Sequence, residues 1–145
     1  MAGQSGCVNG SPDTGTLELN LNDVYFERHH SQGLVSEHLY VELTLGNRGE
    51  ETLAITDNFL RDGRDTVYKA LLLQVKGKEA YCMECRGLKT LRRLAPGEEA
   101  NGFFMVLEDV ARDASGLRLV IVADDQQTEL PLPDGNRLKI VERFE

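Results

Sequence analysis

The residues best suited to chemistry in this chain are two cysteines, in the run Cys82-Met83-Glu84-Cys85, and three histidines, His29, His30 and His38. Two thiolates at that spacing can chelate a metal ion, and a tetrahedral zinc site would be completed by imidazoles from His29, His30 or His38. Met83 beside them adds a thioether, a soft ligand of the kind copper favours. Oxidised, the same pair makes a short disulfide, which suits an oxidising compartment and closes too small a ring to stabilise the fold much. A redox role would need a helix N-terminus after the first thiol, inside a βαβ unit, and the sequence offers neither. We read the pair as a Cys82–Cys85 disulfide, with a zinc or copper site on Cys82, Cys85, His29 and His30, or two free thiols, as the alternatives.

Other polar clusters read as surface. Glu98-Glu99 and Asp124-Asp125 are adjacent acids in expected turns, and His29-His30 lies in a polar stretch. No Gly-x-Ser-x-Gly, His-Glu-x-x-His or phosphate-cradling glycine loop occurs. We therefore expect no catalytic residues, no cofactor and no enzymatic activity. A net charge of −8 argues against nucleic acid as a partner, and the one dense basic cluster, Lys89, Arg92 and Arg93, is small. Trp is absent and other aromatics are few, which disfavours a stacking platform for sugars. No apolar run approaches the ~20 residues needed to span a bilayer.

The elements that must carry these groups are strands. Leu39, Val41, Leu43 and Leu45 alternate with Tyr40, Glu42 and Thr44, giving one apolar face and one that can meet water. The Asn47-Arg48-Gly49 segment is expected to supply the positive φ of a tight hairpin leading to Leu53 and Ile55. Upstream, Leu17, Leu19 and Leu21 share a face before the phase shifts to Val24 and Phe26, which predicts a bulge near Asn22-Asp23. Residues 28–37 read as a polar loop. Pro96-Gly97 suits the centre of a type II turn. Leu117, Leu119, Ile121 and Ala123 alternate again, and Asp124-Asp125 turns the chain. The two prolines of Leu130-Pro131-Leu132-Pro133 should end the next strand or confine it to an edge. Four large apolar residues within residues 137–144 predict that this segment pairs with a sheet edge of its own domain.

These features predict an all-β, immunoglobulin-like antiparallel β-sandwich of about seven to nine strands with Greek-key connections and at most one or two short helical turns. One domain, residues 16–145, follows a Gly/Ser/Asn/Pro-rich flexible leader, residues 1–15. In that leader Ser5-Gly6-Cys7 resembles the end of a bacterial lipoprotein signal, which would make Cys7 a lipidation site, although charged and apolar regions upstream of it are missing.

The run Leu39 to Glu51, the Asp62-Gly63 turn with Tyr68, and Leu94, Pro96, Gly97 and Glu98 ahead of Phe103 and Phe104 together resemble a telokin-like, immunoglobulin-like domain family of unknown function. The likeness spans roughly residues 17–130. Such domains occur in bacterial lipoproteins and secreted proteins. The resemblance implies an exported, non-enzymatic sandwich with no shared binding residues to carry over. The Cys82-x-x-Cys85 insertion and residues 137–144 depart from it. The expected protein is a monomeric interaction or accessory module of the cell envelope that binds another envelope protein, touching the membrane only through a lipid on Cys7. A native start at Met1 would instead favour the cytoplasm.

Overall fold

The computed structural model describes residues 16–75 and 89–144. Ten strands account for most of them: β1 (Leu17–Ser31), β2 (Leu34–Asn47), β3 (Leu53–Arg61), β4 (Val67–Val75), β5 (Lys89–Thr90), β6 (Arg93–Leu94), β7 (Glu99–Val106), β8 (Arg118–Ala123), β9 (Gln126–Pro131) and β10 (Lys139–Phe144). One 3-10 turn, Gly135–Arg137, is the helical content of the described residues. The fold is all-β, as the alternation requires. Its strands lie on one hydrogen-bonded path, β10-β1-β2-β7-β4-β3-β8-β9, with β5 added to β4 and β6 to β3. The sheet curls into a half-barrel, and β9 comes back against β1.

Two features correct the antiparallel two-sheet expectation. First, the sheet is mixed, because β10 runs parallel to β1 from Tyr25↔Lys139 to His30↔Phe144. Its arrival from the far edge strand, β9, sets this direction. Second, β4 belongs to both halves of the curl. Val67 to Lys69 pair with β3, whereas Ala70 to Val75 pair with β7. One strand thus turns the corner that two separate sheets would leave open.

The apolar residues of both halves meet inside the curl. Phe26, Leu39, Leu43, Leu45, Leu72 and Phe104 come from one half, and Leu60, Leu94 and Leu119 from the other, all essentially without exposure. The bulge lies where the phase shift places it, between Leu21 and Asp23, so Leu17 and Phe26 both reach this core. Gly97 takes φ +76° after Pro96. Pro131 ends β9 at the sheet edge, and Asp124 and Asp125, both at positive φ, join β8 to β9. The C-terminal segment does pair within its own domain.

Two local expectations are overturned. Residues 28–37 are no loop. They form the distal part of a long hairpin whose two-residue turn, Gln32-Gly33, has both residues at positive φ. Their polarity reflects strands that extend past the core, where neither face needs to be greasy. Nor is Gly49 at positive φ, and β2 does not pair with β3. The buried Asn47 side chain makes that turn: its Nδ2 donates to the carbonyls of Glu51 (2.8 Å) and Leu94 (2.9 Å), and its Oδ1 accepts from Gly49 N–H (2.9 Å).

Candidate functional site

The β1–β2 hairpin carries the unusual chemistry among the described residues. Alternation sends Tyr25, Glu27 and His29 of β1 to the outer face of the sheet, together with Ser36, His38 and Tyr40 of β2. In the parallel pairing, Val141 and Arg143 of β10 lie beside Glu27 and His29. Tyr25, Tyr40, Phe103 and Val75 form a second apolar cluster on this face, so Tyr40 is buried rather than water-facing. Tyr40 meets the edges of Phe103 and Tyr25 at 5.0 and 6.0 Å, and the His38 ring lies parallel to it at 6.4 Å.

Glu27 is a carboxylate only 2% exposed within this cluster. A buried charge is tolerated only with partners. Its Oε2 accepts from Arg143 Nε at 3.3 Å, and its Oε1 lies 2.6 Å from His29 Nε2, an ion-pair contact outside hydrogen-bond geometry. Burial, seconded by the Glu27 charge and opposed by Arg143, pushes the Tyr40 phenol up to about 12. Toward the tip, a groove of about 630 Å³ is lined by His29, Ser31, Leu34, Val35, His38 and Tyr40 among others. In His38, Nδ1 is buried and has no hydrogen-bond partner among the described residues.

The other face of the same hairpin end is different. Val35 pairs with His30 across β1–β2, and His30 with Phe144 across β1–β10, so the three lie in one row over three strands. His30 stacks on Phe144 at 4.3 Å and its Nε2 lies 2.7 Å from Glu142. Val35 and Phe144 are 59% and 73% exposed. Arg28 and Arg112 both bind Glu37, and Arg28 also reaches Glu142, which flanks the row with paired charge.

His29 and His30 therefore point to opposite faces and are not brought together, whereas His29 and His38 share one. Cys7, Cys82, Met83 and Cys85 lie outside the described residues. Among the described residues no group of three or more His, Cys, Asp or Glu is arranged to hold a metal ion. Lys89, Arg92 and Arg93 are exposed on and between β5 and β6. Glu27, Tyr40, Val35 and Phe144 escaped the sequence reading. Extending the period-two pattern through residue 31 would have put Glu27 and His29 on the face of Tyr25. No helix among the described residues is long and apolar enough to cross a membrane. No protein-family model matches the chain, and no curated protein matches it.

Proposed function

We propose that this protein is a non-enzymatic, immunoglobulin-like interaction module that binds another protein through the end of the β1–β2–β10 sheet. The observation that supports this reading is the exposed Val35–His30–Phe144 row. Large apolar side chains held out at a strand end contribute nothing to the core, and grouped exposure of this kind marks contact surfaces. The paired charges of Arg28, Glu37, Arg112 and Glu142 give the row a polar rim, the usual anatomy of a contact patch. The test is a double Val35→Asp, Phe144→Asp variant compared with wild type by quantitative cross-linking in the native host. A partner cross-linked to wild type and lost from an equally stable variant supports the reading; identical cross-linking of both refutes it.

The same reading places the module in the bacterial envelope, anchored by a lipid on Cys7. Intact-mass analysis of protein from its native source should find a diacylglyceryl adduct on that residue. An unmodified thiol would remove the anchor from the proposal.

A further inference from the structure

We propose that His29 and His38 are a chelating pair for a divalent transition metal ion on the outer face of the β1–β2 hairpin. This stands apart from the protein-binding reading, which uses the opposite face, and from Cys82-x-x-Cys85. The register supplies the first argument. Glu27 faces His38 and His29 faces Ser36, so the two imidazoles occupy diagonal positions on one face. Diagonal neighbours have their Cα atoms about 7–8 Å apart, with Cβ atoms closer. Metal–nitrogen bonds of about 2.0–2.1 Å require the two nitrogens to approach within about 4 Å. Imidazole nitrogens extend well beyond Cβ, so rotation about χ1 and χ2 can bring two of them within that distance from diagonal positions.

The second argument is the state of the rings. His38 Nδ1 is buried and unpartnered, an arrangement that costs free energy unless a ligand or ion uses the nitrogen. Nε2 of His29 is taken up by contact with Glu27, which leaves Nδ1 as its ligating atom. Glu27 is itself held by Arg143. Two imidazoles leave further coordination positions open, and the groove beside both rings has room for water or an exchangeable ligand there. Nitrogen donors of this kind suit zinc, copper or nickel rather than calcium or magnesium.

The experiment is zinc titration by calorimetry on the full chain carrying Cys7→Ser, Cys82→Ser and Cys85→Ser, which removes competing thiols. One ion per chain is expected, with affinity falling at least tenfold in His29→Ala and in His38→Ala and unchanged in His30→Ala. No binding in the thiol-free chain, or an equal loss in His30→Ala, overturns the proposal. Histidine side-chain resonances of the reduced wild-type protein give an independent reading that does not need the thiol-free chain to fold. On zinc addition His29 and His38 should shift together while His30 stays in place, and any other pattern overturns the pair. Because Phe144 does not line the groove, a single Phe144→Asp variant should bind zinc as wild type does whatever becomes of partner binding.

Discussion

Replacing Asn47 by Ala should cost about 3 kcal/mol. The side chain is buried and makes three hydrogen bonds, two to the carbonyls of Glu51 and Leu94 and one from Gly49 N–H. Each such bond contributes about 1 kcal/mol net. The backbone bonds of residue 47, its N–H to Glu98 and its carbonyl from Gly97, survive the substitution, so the loss isolates the amide. Urea unfolding followed by far-ultraviolet circular dichroism measures it, as a lower midpoint at unchanged slope. For a domain of this size the thermal midpoint should fall by about 10 °C. Asn47→Asp sharpens the test. One oxygen can still accept from Gly49, but the other would face two carbonyls without a proton to donate. The folded protein therefore favours the protonated acid, and part of the lost stability should return as pH falls toward the ordinary carboxylate range. Asn47→Ala within 1 kcal/mol of wild type, or Asn47→Asp fully stable at pH 7, refutes this account of the turn.

Deleting residues 137–145 strips β10 from β1 and uncovers a row of backbone groups. The thermal midpoint should fall or light scattering should reveal self-association; a monomer of unchanged midpoint refutes the pairing. Tyr40 should titrate late. Its folded pKa, pushed up to about 12, exceeds the unfolded value near 10, so its contribution is complete below pH ~10 and is lost as pH rises toward 12. Difference absorbance of the tyrosinates should show its step delayed, and Tyr40→Phe should abolish that step while leaving the earlier ones; a wild-type Tyr40 ionising near 10 refutes the burial argument.

The parts of the fold legible in the sequence are those where one face is greasy and the turn chemistry is stereotyped. Leu39 to Leu45, the phase shift at Asn22-Asp23, Pro96-Gly97 and Asp124-Asp125 all rest on local rules that tertiary context did not override. The distal hairpin was missed because Gln32 is an unusual residue at positive φ and because polar side chains beyond a core carry no periodic signal. The corner at β4 was invisible for another reason. Residues 67–75 look alike along their length, and only the partners change, from β3 to β7. The histidines were noticed as residue types, but pairing His29 with His38 and separating both from His30 needs the register of a hairpin that the sequence presented as a loop.

The parallel docking of β10 on β1 also orders events in time. Among the described strands β1 leaves the ribosome first, whereas its outer neighbour, beginning at Lys139, follows all the others. Until β10 has been made, that side of β1 lacks this partner. Phe144 joins Val35 and His30 only when that last strand docks. The apolar row thus exists only once β10 is in place: a chain cut before Lys139 would present the hairpin without its aromatic cap, and a partner reading the whole row would recognise only molecules in which that strand has docked.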